Sequence, residues 1–318
     1  MPDTDKNFYG KPDSANTLIG RVEPKSDRAY SETAGDTASS VASGNRHPDW
    51  QWENCVRPEG GPPLPDTLPA VPQAQLGGLT IAAVDRARAA ALMIAAARRH
   101  RRHGRPLYFT SANGEVIARV NSDRAIAGLF READQILADG QPLVFASRWL
   151  CRQKLPERVA TTDLFHDVAR LAEREGVTFY LLGATEAQNM RAAAIVRQLY
   201  PALTLVGHCH GYLTGVALAA KIDEINVLAP DILWLGLGVP REQIFMRDFG
   251  DQLGNVGVVK TAGGLFDHLT AKVPRAPLWM QQAGFEWFWR MLMEPRRLFW
   301  RYLTTNPRAL YAILRYSK

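Results

Sequence analysis

The chain reads as an α/β protein built on a mainly parallel sheet, followed by a basic and aromatic C-terminal appendage. Three observations carry this. From Thr80 to Lys260, short apolar runs alternate with helical stretches of about ten to fifteen residues, the spacing of βαβ units. Several of those runs end in small or polar residues, as strand ends beside a ligand crevice do: Ser111-Ala112-Asn113, Asp139-Gly140 and Gly236-Leu237-Gly238. From Arg275 onward the composition changes: eight Arg or Lys face two Glu, a balance equal to the +6 of the whole 318-residue chain, and four of the eight tryptophans lie there.

Ahead of the alternating region, residues 1–75 are rich in Pro, Gly, Ser, Asp and Thr and thin in apolar side chains. Such a segment buries too little apolar surface to offset its ordering entropy, so it is expected to be a disordered tail and linker. Residues 76–272 form the expected α/β core, and 273–318 the appendage. No apolar leader marks the first thirty residues, and no run approaches the roughly 18–20 apolar residues of a spanning helix. Cys55, Cys151 and Cys209 are odd in number and have no paired spacing, which fits a reducing cytoplasm and speaks against a disulfide framework or a cysteine-based zinc site.

Within the core, Asp85 is placed to cap a helix from Arg86 to about His103, ended by Gly104-Arg105-Pro106. Leu107-Tyr108-Phe109-Thr110 is a short strand, Ala118–Ala133 is helical, and Gln135-Ile136-Leu137-Ala138 is the next strand. A helix over Leu164–Glu175 takes Asp163 as N-cap and Gly176 as its stop. Strands follow at Val177–Gly183, Leu203–Val206, Asp231–Gly236 and Val256–Lys260, with helices over Ala187–Leu199, Val216–Leu228 and Glu242–Gln252 between them.

Taken singly, the motifs have plain readings beside functional ones. Asp139 would face the crevice as a base or metal ligand, yet Asp-Gly is also a common turn pair. Ser111 and Asn113 suit a sugar or phosphate, or an Asx cap on the next helix. Gly236-Leu237-Gly238-Val239-Pro240-Arg241-Glu242-Gln243 lets backbone approach a ligand, but it lacks the third glycine of a dinucleotide fingerprint. His208-Cys209-His210 has no companion ligands at metal-like spacing, and Asp3-Thr4-Asp5 lies in the tail. The basic, aromatic appendage fits an anion that also offers apolar contact, such as a lipid headgroup layer. Two other classes share some of these features, a nucleotide-binding oxidoreductase and a nucleic-acid-binding module. The failed glycine pattern opposes the first, and the aromatic interleaving opposes the second.

In order, the motifs resemble the WecG/TagA/CpsF glycosyltransferases, glycosyltransferase family 26. The resemblance runs from about Leu79 to Leu314 through Ser111-Ala112-Asn113, Ala133-Asp134, Asp139-Gly140, Glu157-Arg158-Val159, Tyr180-Leu181-Leu182-Gly183, Pro230-Asp231 and Gly236–Pro240. It is most specific in Arg275-Ala276-Pro277, Glu286-Trp287, Glu294-Pro295-Arg296-Arg297 and Arg301-Tyr302. It implies a Rossmann-like fold with helices on both sheet faces, and an inverting hexosyl transfer that needs neither metal nor cofactor. The donor would be a nucleotide sugar, UDP-linked in such enzymes. The acceptor would be a saccharide on a polyprenyl diphosphate at the inner face of the cell membrane, where the enzyme sits peripherally, in surface polysaccharide synthesis. No nucleic-acid partner is implied; sugar, linkage and oligomeric state stay open.

Carried over residue by residue, Asp139 is the expected base. Ser111 and Asn113, Gly183, and Gly236, Gly238, Pro240, Glu242 and Gln243 are the expected substrate contacts. Arg290, Arg297 and Arg301 are expected at the diphosphate, and Arg308, Arg315 and Lys318 at lipid headgroups. The chain departs from the family pattern at three points. Ser111 stands for Thr, Thr161-Thr162-Asp163 for Gly-x-Asp, and Glu242-Gln243 reverses the usual Gln-Glu order.

Overall fold

A computed structural model describes residues 70–99, 104–271 and 276–318, with backbone alone at Leu278, Gln282, Arg290 and Arg297. Residues 1–69, and with them the Asp3-Thr4-Asp5 motif and most of the expected tail, lie outside the described residues. So do 100–103 at the end of the first helix and the 272/273 boundary.

An antiparallel hairpin, β1 (Gln73–Leu76) and β2 (Leu79–Ala82), opens the described chain. Its alternation is too short to stand out in sequence, and its two strands straddle the expected 75/76 boundary. Six strands then form one parallel sheet: β3 (Leu107–Ala112), β4 (Gln135–Ala138), β5 (Phe179–Gly183), β6 (Leu205–Cys209), β7 (Ile232–Gly236) and β8 (Val258–Thr261), in the order β4-β3-β8-β7-β5-β6. The last strand inserts between β3 and β7. The carboxyl ends of β4, β3 and β8 therefore lie side by side, where open parallel sheets hold their ligands.

Period-two alternation splits the sheet into two faces. Phe109, Leu137, Phe179, Leu181 and Trp234 pack beneath α1 (Arg86–Arg99), α5 (Thr161–Glu175), α6 (Glu186–Leu199) and α9 (Leu265–Leu269). Ala112, Ile136 and Ala138 pack with the hairpin, α2 (Gly114–Ser122), α3 (Arg124–Arg131), α4 (Gln141–Leu150) and α12 (Pro295–Tyr316). Helices α7 (Gly215–Leu228), α8 (Arg241–Phe249), α10 (Leu278–Gln282) and α11 (Glu286–Met293) complete the chain. The doubly covered sheet is the fold the sequence implies.

Local chemistry explains where the helices differ from expectation. The helix expected over Ala118–Ala133 is two, because Asp123 breaks it and caps the second, its Oδ1 accepting from Ala125 N at 2.7 Å and Ile126 N at 3.3 Å. Asp163 is not an N-cap: α5 starts two residues earlier, and Asp163 in its first turn pairs with Arg86 and Arg158, each at 3.7 Å. Helix α4, unassigned by periodicity, is started by Gly140 with Pro142 in its first turn.

The appendage packs into the domain rather than hanging from it. Ala309, Ala312 and Ile313 of α12 are buried against α2 and the hairpin. The C-terminus is tied down as well: Gly78 N donates to Tyr316 O at 3.1 Å and Lys318 N to Gln75 O at 3.0 Å. Among the described residues, no helix is long and apolar enough to cross a membrane.

Candidate active site

A cavity of about 480 Å3 opens where β3, β4 and β8 end, roofed by α11 and α12. Its floor carries Asp139, Ser111, Thr161 and Glu242, and its far wall Trp287, Arg301 and Tyr302.

Asp139 follows β4 directly, and its backbone is fixed by a 2.8 Å bond from its N–H to Ala112 O. The Asp-Gly pair thus joins strand to helix, and its side chain faces the cavity. Thr161 holds it from the start of α5, donating to Oδ2 through its backbone N–H at 3.2 Å and its hydroxyl at 2.9 Å. Burial pushes the Asp139 carboxyl above the usual range, opposed in turn by the Arg158 guanidinium, the two Thr161 bonds and the Lys260 ammonium. The departure at Thr161 is thereby accounted for, since a glycine there would have no hydroxyl to give.

Ser111 closes the same corner, its Oγ lying 3.2 Å from the Thr161 hydroxyl and accepting from Lys260 Nζ at 3.0 Å. Asn113 lines the cavity, but its Oδ1 caps α2 by accepting from Val116 N at 3.1 Å. The cap reading is the one the geometry bears out for that oxygen.

The residues expected from the Gly236–Gln243 segment divide. Glu242 reaches the cavity floor, its Oε2 accepting from Gly238 N at 3.2 Å and Gly263 N at 3.1 Å. Burial raises its pKa, and Lys260 is the strongest opposing influence. Gln243 turns inward instead and donates to Thr110 Oγ1 at 3.2 Å, which itself lies 2.8 Å from Thr261 Oγ1. Gly183, Gly236, Gly238 and Pro240 are not on the cavity wall, and two of the glycines have packing reasons. A Cβ on Gly183 would fall 2.2 Å from Gly236 O, and one on Gly236 would fall 2.3 Å from the Phe266 ring. The Val239–Pro240 peptide is cis.

Arg158 was not singled out by sequence reasoning as a contact, although it lay within the Glu157-Arg158-Val159 motif. Val159 N donates to Ala138 O at 2.7 Å, which docks this loop against the end of β4 and sets Arg158 beside Asp139. Its guanidinium ion-pairs with Glu286 at the start of α11 and donates to Gln281 Oε1 at 3.2 Å. Lys260 was missed too, being masked by its position inside an apolar strand.

Of the three expected appendage arginines, Arg301 lies on the cavity wall. It pairs with Glu115 at 3.2 Å and sits over the Tyr302 ring at 5.0 Å, while its buried Nε has no partner among the described residues. The side chains of Arg290 and Arg297 lie outside the described residues. Arg308, Arg315 and Lys318 are all exposed. His208 and His210 each have a local partner: His208 Nδ1 lies 2.9 Å from Asn189 Oδ1, and Tyr212 N donates to His210 Nδ1 at 3.2 Å.

This is a carboxylate with one oxygen fixed, set beside Arg158 and near Lys260, on the lining of a cavity that also holds an arginine. Such a site can take a proton from a hydroxyl and stabilise an anionic leaving group. The model of the glycosyl transferase WecG/TagA/CpsF family matches residues 74–318. The chain is also 28% identical over 219 residues, 66% of its own length and 83% of the relative's, to the N-acetylglucosaminyldiphosphoundecaprenol N-acetyl-beta-D-mannosaminyltransferase of Bacillus subtilis (strain 168).

Proposed function

Because this chain belongs to the WecG/TagA/CpsF family of glycosyltransferases, we propose that it moves a sugar, with inversion, from a UDP-linked donor to a saccharide carried on a polyprenyl diphosphate, as a step in making a surface polysaccharide. The observation that carries this reading is that Asp139 and Arg301 line one cavity. Inverting transfer needs a base on the attacking hydroxyl and positive charge at the departing diphosphate. In this reading Asp139 accepts the hydroxyl proton as the oxygen attacks the anomeric carbon. The bond from that carbon to the diphosphate oxygen breaks, and the charge released there is met by arginines and backbone N–H groups. Arginine suits the task because it stays charged and binds phosphate in bidentate fashion.

The relative's name supports the acceptor class, since that protein transfers onto a saccharide linked through diphosphate to undecaprenol. Association with the membrane surface is supported by the outer faces of the appendage. Trp279, Phe285, Leu292, Phe299, Trp300 and Leu303 are exposed there, beside the exposed Arg296 and Arg308. Exposed aromatic and basic residues together match the interface between headgroups and acyl chains.

The test is a screen of UDP-hexoses and UDP-N-acetylhexosamines for thermal protection, followed by transfer to a synthetic polyprenyl-diphosphate saccharide. At 100 times Kd, a donor should stabilise the protein by about 2.7 kcal/mol. A screen in which no UDP-sugar protects and none is transferred would overturn the reading.

A further inference from the structure

Lys260 lies in the middle of the sheet, on a strand paired on both sides, and its side chain is fully buried. An ammonium there is costly unless its hydrogens are satisfied and its charge is balanced. β8 sets Lys260 opposite Phe109 of β3, and strand alternation puts Ser111 on the same face, two residues nearer the site. The lysine stem runs along this face, and Nζ donates to Ser111 Oγ at 3.0 Å and to Thr261 O at 2.5 Å. Ser111 Oγ lies 3.2 Å from Thr161 Oγ1, which donates to Asp139 Oδ2 at 2.9 Å.

The direction of this chain follows from donor chemistry. An ammonium has only hydrogens to give, so Ser111 accepts from Lys260. The Thr161 hydrogen is committed to the carboxylate, so the hydroxyl hydrogen of Ser111 is the one that bridges to Thr161. The bridging hydrogens of Lys260, Ser111 and Thr161 along this chain therefore point toward Asp139. Both bonds to that carboxylate fall on Oδ2. Oδ1 has no hydrogen-bond partner among the described residues and belongs to a side chain on the cavity wall.

We propose that Lys260 is a positioning residue for the transfer: acting through Ser111 and Thr161, it fixes Oδ2 of Asp139 and leaves Oδ1 presented to the acceptor hydroxyl. The inference rests on the reading of Asp139 as the base. The charged groups that face Lys260 are Asp139 at the end of β4 and Glu242 on α8; Arg158 acts on Asp139 from the loop before α5, and the buried Tyr108 of β3 feels Glu242. Burial lowers the Lys260 pKa to about 8, with Asp139 and Glu242 pulling the other way, so the cation persists at neutral pH. Its charge in turn favours the ionised carboxylate.

The experiment measures kcat and KM across pH for wild type, Lys260→Met, Lys260→Arg, Ser111→Ala and Asp139→Asn. Lys260→Met is expected to lower kcat roughly 10-fold or more at neutral pH, as loss of orientation does. KM for the nucleotide sugar should stay within about threefold, and the acidic limb of kcat should move to higher pH. Ser111→Ala should lower kcat with a smaller displacement of the limb, because the charge remains. Lys260→Arg, which keeps both charge and donors, should recover part of the rate. A folded Lys260→Met enzyme with wild-type kcat and an unmoved limb overturns the positioning role, provided Asp139→Asn is inactive. An active Asp139→Asn enzyme overturns the underlying base assignment instead. Should Lys260→Met fail to fold because Glu242 is left uncompensated, Lys260→Met/Glu242→Gln and Ser111→Ala decide. A folded Ser111→Ala enzyme with wild-type kcat and limb then overturns the proposal.

Discussion

Arg158 of the core is ion-paired with Glu286 of the C-terminal appendage, and the same guanidinium lowers the pKa of Asp139 beside it. The roof of the cavity is therefore wired to the carboxylate on its floor. Both partners are largely buried, with side chains 12% and 21% exposed, so solvent screens the pair only in part. Glu286→Ala should release α11 and leave Arg158 without its main anchor. The expected cost is about 1–3 kcal/mol in stability, the range for losing a hydrogen bond to a charged group. Amide exchange should quicken in α11 and not in α6, at the opposite edge of the sheet. Equal protection of α11 in wild type and variant would show that the pair does not hold the roof.

Asp139→Asn is the direct test of the base. Asparagine keeps an oxygen for Thr161 but cannot take a proton. Turnover should fall by about 10²–10⁴-fold, while donor binding by thermal protection stays near wild type. Full transfer activity in this variant would remove Asp139 from the mechanism.

The pH dependence has a defined sign. Burial raises the Asp139 pKa, so the acidic limb of kcat should lie above the ordinary aspartate value of about 3.9. Arg158 opposes that rise, so Arg158→Met should push the limb further up and lose more activity at pH 6 than at pH 8. Stability follows the same linkage. A carboxyl whose folded pKa exceeds its unfolded one favours the fold while protonated, and that contribution is lost as pH rises through the folded pKa. Asp139→Asn should therefore gain in Tm relative to wild type as pH rises across that limb. A difference in Tm that is flat with pH would contradict the raised pKa.

The fold was legible because parallel strands buried on both faces show as apolar runs, and the strand ends showed as small or polar residues. Asp139 and Ser111 stood out as candidates in that way, and the family resemblance gave them, with Glu242, their expected roles. Gly183 and Gly236 look like ligand contacts in sequence for the same reason that they are needed in packing: each sits where another chain segment passes too close for a Cβ. Arg158 and Lys260 escaped for a different reason. A loop arginine and a strand lysine show no pattern until Val159 pairs with Ala138 and β8 inserts beside β3. The hairpin was lost because four-residue strands give too little alternation to read.

Arg301 should act on the diphosphate end of the reaction. Its Nε is buried and unpartnered among the described residues, and its Nη1 is engaged by Glu115 at 3.2 Å, an arrangement a phosphate could share or replace. Arg301→Ala is expected to lower kcat/KM for the lipid-linked acceptor by roughly 10–100-fold, the effect of losing one or two charge-assisted hydrogen bonds. Arg301→Lys should restore little, since an ammonium lacks the planar fork. Unchanged turnover in Arg301→Ala would place the diphosphate elsewhere.

Membrane association needs a test that spares the core. Truncation after Val273 would strip Ala309, Ala312 and Ile313 from their packing, and burying Ile313 alone stabilises by about 1.5–3 kcal/mol. Lost liposome binding in such a truncation would then report unfolding as readily as a lost anchor. The outward residues separate the two effects. Trp279, Trp300 and Leu303 are 65%, 68% and 54% exposed, so replacing them with Ser should leave the Tm nearly unchanged. If they insert into the interface, each contributes up to about 1.5–3 kcal/mol of transfer energy, and the triple variant should lose at least 100-fold in partitioning onto anionic vesicles. Raising salt should weaken the wild type further through Arg296 and Arg308, at about 1 kcal/mol per charge near the surface. A folded triple variant that sediments with vesicles as the wild type does would exclude this face as the membrane contact.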